Sequence, residues 1–239
     1  MKLFCLVHAG GDSRYFDKFI AYTENKNIDI VPIEYNGRGK YKKEKIAESF
    51  DELREEVLHK ICMYISEEPY ALFGHSMGGL LAYEVCVSMI QKTIKLPTHL
   101  YISSRDEPLS QHSYNFSDDE LLQHLLGIGD ENSDIYQDKR FAKIYLNRIK
   151  KDFNLLEQYL CLKPVKLDIH ARIFWSKTDD TILTTISNWN NYFTGVVEYK
   201  EFSGGHFYLN SHYKNVMDII LNDCTGCLLY TSPSPRDRG

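Results

Sequence analysis

The chain has 239 residues, a length that suits one large domain or two small ones. Hydrophobic residues make up 43% and charged residues 26%, which excludes a collagen-like, coiled-coil or wholly disordered architecture. A formal net charge of −5 argues against a protein that coats nucleic acid, and no apolar run approaches the ~20 residues of a membrane span. After Met1 and Lys2 only residues 3–7 are apolar before His8-Ala9-Gly10-Gly11, too short a stretch for a secretory signal. A cytoplasmic location is therefore expected, with neither nucleic acid nor membrane as partner. The six cysteines, at 5, 62, 86, 161, 224 and 227, are mostly scattered, as suits reduced thiols and not a disulfide scaffold.

In chain order, residues 3–7 form an apolar run closed by glycines, the pattern of a buried strand. Ser13 is a candidate cap for a short helix carrying Tyr15, Phe16, Phe19 and Ile20. Residues 28–35 read as a second strand ending in an Asn36-Gly37 turn. Residues 45–65 carry Ile46, Phe50, Leu53, Val57, Leu58 and Ile61 at steps of three and four, an amphipathic helix. Strands are expected at 70–73, 99–103, 169–175 and 196–202, and helices at 77–89, 184–192 and 212–221. Two charged amphipathic helices, at 118–126 and 138–159, lie between the strands at 99–103 and 169–175. Ser117 and Glu120 form a capping-box pattern ahead of the first. Strands alternating with helices imply an α/β fold with a mostly parallel, doubly wound sheet. The helical segment at about 104–165 is expected to sit outside that sheet as a lid.

Gly74-His75-Ser76-Met77-Gly78 is a G-x-S-x-G motif between an expected strand and an expected helix, the setting of a nucleophile elbow. Such a turn strains the serine backbone and needs small residues two positions away on either side. It also points a helix N-terminus at the serine oxygen, which favours developing negative charge. A serine nucleophile needs a histidine base and a carboxylate to orient it, in the chain order Ser, acid, His. Of the downstream histidines, His206 alone follows a glycine-rich turn directly after a strand. His99, His112, His124, His170 and His212 read as packing or surface residues. Asp179 and Asp180, just after the strand at 169–175, both qualify as the acid. The amides of Met77 and Ala9 are the candidate oxyanion donors. For His8 and His75 a structural hydrogen bond is the expectation.

With these residues in place the chain resembles a type II thioesterase, the external editing enzyme of nonribosomal peptide and polyketide synthases. The resemblance spans residues 2 to about 221. It rests on Leu6-Val7-His8-Ala9-Gly10-Gly11, on Tyr35-Asn36-Gly37-Arg38-Gly39 and on Phe73-Gly74-His75-Ser76-Met77-Gly78-Gly79. It rests also on the segment from Arg148 through Asp152 and Phe153 to Tyr159, and on Phe202-Ser203-Gly204-Gly205-His206-Phe207-Tyr208-Leu209. Asn36 stands where the family has proline, and the acid loop reads Ser176-Lys177-Thr178-Asp179-Asp180 in place of Gly-x-x-Asp. Counting from Phe174 selects Asp179 as the acid; counting back from His206 favours Asp180. The resemblance implies an α/β-hydrolase fold and hydrolysis of acyl or aminoacyl thioesters held on the phosphopantetheine arm of a carrier protein. Ser76, Asp179 and His206 would form the triad, with no metal and no dissociable cofactor. A monomer is expected, docking an acidic carrier protein; Arg38, Lys40, Lys42, Lys43 and Lys45 form the densest basic run, which reads first as a solvated helix entrance and otherwise as the docking patch. A medium-chain fatty-acyl thioesterase serving a fatty acid synthase would use the same triad. A general esterase and a catalytically silent binding module fit the motifs less well.

The chain's last residues read differently. Cys224-Thr225-Gly226-Cys227 matches a C-x-x-C redox pattern. From Cys227 to Asp237, however, the sequence resembles one translated frame of a transposase-type sequencing-library adapter. The expected division is a catalytic domain at 1–226, followed by a non-native disordered tail at 227–239.

Overall fold

The computed structural model describes residues 1–110, 112–129, 138–161 and 163–230. Its sheet has six strands in the order β2-β1-β3-β4-β5-β6, and every neighbouring pair is parallel. The strands are β1 (Lys2–Leu6), β2 (Asp29–Pro32), β3 (Tyr70–His75), β4 (His99–Ser103), β5 (His170–Ser176) and β6 (Val197–Phe202). Central β3 is buried along its whole length, which is why its sequence is a continuous apolar run and not an alternating one. The strand expected at 28–35 is shorter. β1 ends at Leu6, so residues beyond Ile33, whose amide still reaches the Cys5 carbonyl at 2.9 Å, have no neighbour to pair with.

The helices are α1 (Asp17–Thr23), α2 (Phe50–Cys62), α3 (Met77–Gln91), α4 (Asp118–Gly127), α5 (Lys139–Gln158) and α6 (Leu209–Tyr230). α1 packs with α6, and α2 packs with α3. The crossover from β1 to β2 runs towards one sheet edge and all later crossovers run towards the other. Right-handed connections therefore place α1 on the opposite face from α2 and α3. α3 is buried along almost all of its length, between the sheet and α2.

Several local expectations are corrected. The segment ahead of α1 is a 3-10 turn, Ser13–Phe16, capped by Asp12 and not by Ser13. Ser13 instead donates its amide and hydroxyl to Glu34, at 3.3 and 2.7 Å. α2 starts at Phe50 and not at 45, because the Ser49 hydroxyl accepts from the Glu52 amide and caps it there. The stretch expected as a helix at 184–192 is a 3-10 helix, Ile186–Tyr192. Buried Trp189 and Tyr192 stand three residues apart, a spacing that eclipses side chains on one face of a three-residue turn. Ser117 and Glu120 form the expected capping box at α4. α6 runs to Tyr230, past the expected boundary at 226, while 231–239 lie outside the described residues. Cys5, Cys62, Cys86 and Cys161 are free thiols. Among the described residues no helix is long and apolar enough to cross a membrane.

Candidate active site

The strand order reverses between β1 and β3, whose onward connections leave towards opposite edges of the sheet. In open α/β sheets that switch point, at the carboxyl ends of the strands, is where ligands bind. Leu6 pairs with Gly74 at this end, so the loops after β1 and β3 emerge side by side.

The loop after β3 is a sharp elbow. Ser76 has φ 56° and ψ −120°, a left-handed conformation that a side chain adopts only under constraint. Its amide donates to the Ser103 carbonyl of β4 at 2.8 Å, and its carbonyl accepts from the Gly79 amide at 2.9 Å. A Cβ on Gly74 would overlap the Gly78 carbonyl, and one on Gly78 would overlap the Leu6 carbonyl. Both glycines are thus required for strand, turn and helix to approach this closely. Met77 is the first residue of α3; its side chain is buried, and its amide belongs to the turn with no intrahelical acceptor.

His206 lies on the loop after β6, and Asp179 on the loop after β5. The imidazole Nδ1 lies 3.0 and 3.1 Å from the two Asp179 carboxylate oxygens, with both residues buried. Burial works against the charge on Asp179. The His206 ring beside it and hydrogen bonds from His206 and Thr181 outweigh that cost, holding the carboxyl well below the usual carboxylate range. Asp180 is exposed and lines the rim of the cavity that His206 also lines. Of the two acids that qualify by sequence, Asp179 is the one brought against the imidazole.

Several supporting residues were not legible as site residues. Thr181 donates its hydroxyl to Asp179 at 2.6 Å and lies 2.9 Å from His206 Nδ1. The Thr178 hydroxyl donates to the Gly204 carbonyl at 2.6 Å, tying the acid loop to the histidine loop. Ser104 donates to the His206 carbonyl at 3.1 Å. His75 is wholly buried, with Nδ1 2.9 Å from the Ser103 hydroxyl, which meets the Tyr208 hydroxyl at 2.7 Å. The only available sequence signal for these was the threonine and serine content of the loops flanking Asp179 and His206.

Ser76, His206 and Ala9 line one cavity of about 210 Å³ at this end of the sheet. Leu125 of α4 and Ile149 and Phe153 of α5 supply apolar wall to this cavity. Arg38, the first residue of the basic run, is not a surface charge. It is buried in an ion pair with Asp152, whereas Lys40, Lys42, Lys43 and Lys45 are exposed.

The family profile described as the thioesterase domain matches residues 1–224. Thioesterase PikA5 of Streptomyces venezuelae is 28% identical over the whole chain and 84% of its own length. Among solved structures, the type II thioesterase BorB from the borrelidin biosynthetic cluster is 28% identical, with a TM-score of 0.81 over 92% of this chain and 91% of its own. ClbQ from the colibactin NRPS/PKS pathway superposes with a TM-score of 0.87 over 96% of this chain and 98% of its own; at 22% identity it speaks for the fold alone.

Proposed function

The chain belongs to the thioesterase domain family and is a thioester hydrolase, and from that premise we propose a Ser76–His206–Asp179 mechanism acting on carrier-bound acyl groups. The observation that carries it is the buried Asp179–His206 contact opening onto the same cavity as Ser76. His206 takes the Ser76 proton as the hydroxyl oxygen attacks the thioester carbonyl. Asp179 holds the imidazole in its tautomer and stabilises the imidazolium. The tetrahedral oxyanion is met by the Ala9 and Met77 amides, the latter at the positive end of α3. His206 protonates the leaving pantetheine sulfur, and water then releases the acid by the same route.

The acyl group enters the cavity under α4 and α5, which act as a lid. The pantetheine arm belongs to a carrier protein of a nonribosomal peptide or polyketide synthase, in line with the naming of BorB as a type II thioesterase of a biosynthetic cluster, and the enzyme clears mis-primed or stalled modules. Exposed Lys40, Lys42 and Lys43 supply the positive face for an acidic carrier. The thioesterase domain spans the matched residues 1–224 and is taken to end near 226, although α6 itself continues to Tyr230.

Ser76→Ala should fold normally and lose at least about 10³-fold in kcat on acyl-pantetheine, since loss of a triad member leaves only binding and the oxyanion hole. Turnover by the purified variant close to wild type would end the nucleophile assignment.

A further inference from the structure

The loop after β1 is held by three side chains that come from far along the chain. Asp152 of α5 accepts the Gly10 amide at 2.6 Å. Arg38, from the loop after β2, donates to the Gly11 carbonyl at 2.8 Å and pairs with the other Asp152 oxygen. Arg148 of α5 reaches the Gly10 carbonyl at 3.4 Å. Three successive peptide units, 9–10, 10–11 and 11–12, are therefore each fixed by a charged side chain. Gly10 has φ +77°, and a Cβ there would overlap Ile149, so the loop lies directly on α5.

The Arg38–Asp152 pair is almost fully buried, with side-chain exposures of 5% and 1%. Taking both charges out of water is expensive, and apolar residues of similar size would often stabilise a core as well or better. Stability alone is a weak reason for such a pair, and what it contacts suggests another. Both partners spend a hydrogen bond on the loop that carries the Ala9 amide. Arg148 and Asp152 also alternate along α5 with Ile149 and Phe153, which line the acyl cavity. One helix face thus touches the acyl group and, one residue away, grips the loop.

We infer that Asp152 and Arg38 are positioning residues that aim the Ala9 amide at the oxyanion, and that α5 links the filling of the acyl cavity to that aim. This rests on the triad and oxyanion reading above. The consequence falls on kcat, because a misaimed donor weakens the transition state more than the bound ground state.

The test is a set of variants assayed on acyl-pantetheine, with circular dichroism and urea unfolding alongside. Asp152→Asn should lower kcat about 10- to 100-fold with KM within about twofold, the scale of an ångström-size misplacement. Arg38→Met/Asp152→Leu replaces the charged pair by apolar residues and should recover stability but not kcat. If kcat returns to wild type together with stability, the pair is merely structural and the inference is overturned. It is overturned equally if Asp152→Asn leaves kcat unchanged. The link through Ala9 is read from Ala9→Pro, which removes that one amide. Asp152→Asn should add little further loss in the Ala9→Pro background; full additivity of the two losses would show that Asp152 acts elsewhere. An Ala9→Pro variant that folds and keeps its kcat refutes the oxyanion donor and leaves the triad standing, so the two failures are told apart.

Discussion

Asp179 and Asp180 are neighbours in sequence with opposite surroundings: one is buried against His206 and Thr181, the other faces solvent at the cavity rim. Asp179→Asn should keep the fold but leave His206 in the wrong tautomer, costing about 10⁴-fold in kcat. Asp180→Asn should stay near wild type. Assaying both on one acyl-pantetheine decides between them, and a crippled Asp180→Asn beside a healthy Asp179→Asn would reverse the assignment. His75 makes a different kind of prediction. Burial, reinforced by His206 and His8, holds its imidazole well below the ordinary range. Between that folded value and a pH of about 6.5 the unfolded chain binds a proton that the native protein refuses. Stability therefore rises with pH across this window and is lost as pH falls below about 6.5. His75→Gln should flatten that slope by up to about 1.4 kcal/mol per pH unit in urea titrations. An unchanged slope would mean that His75 is protonated in place.

Among the elements, the β3–α3 elbow has the least slack. Gly78→Ala must push α3 off the Leu6 carbonyl and should cost about 3 kcal/mol or more in urea unfolding. Gly127→Ala, where a Cβ meets open space, is the near-neutral control. A tolerated Gly78→Ala would mean that the approach of helix to strand is looser than described. The same elbow explains what was legible in the sequence. Short-range signals came through: the central strands as apolar runs, the Ser117–Glu120 box, and a serine between glycines. Boundaries set by side chains were less visible, as with Ser49 starting α2 well inside an apolar pattern that runs from Ile46. Least visible were pairings across long stretches of chain. Arg38 reads as one of five basic residues between 38 and 45, and only the fold brings it to Asp152, 114 residues away. Thr181 likewise looks like loop filler until β5 and β6 lie side by side.

At the scale of the whole molecule, the exposed lysines after β2 stand out from a chain of net charge −5. If they meet an acidic carrier, Lys42→Glu with Lys43→Glu should cut kcat/KM for carrier-bound substrate about tenfold and leave free acyl-pantetheine untouched, since charge at a docking rim acts mainly on association. Equal losses on both substrates would remove the patch from docking. The sheet's outer strands carry a further consequence. β2 ends at Pro32, which has no amide hydrogen to offer a newcomer, and β6 sets exposed Glu198, Lys200 and Glu201 along the opposite margin. A stray strand approaching either margin meets a missing donor or a row of charges. The sheet is thus guarded against growing by edge addition, and fibre-like aggregation would have to begin from a partly unfolded chain in which the apolar inner strands are laid bare.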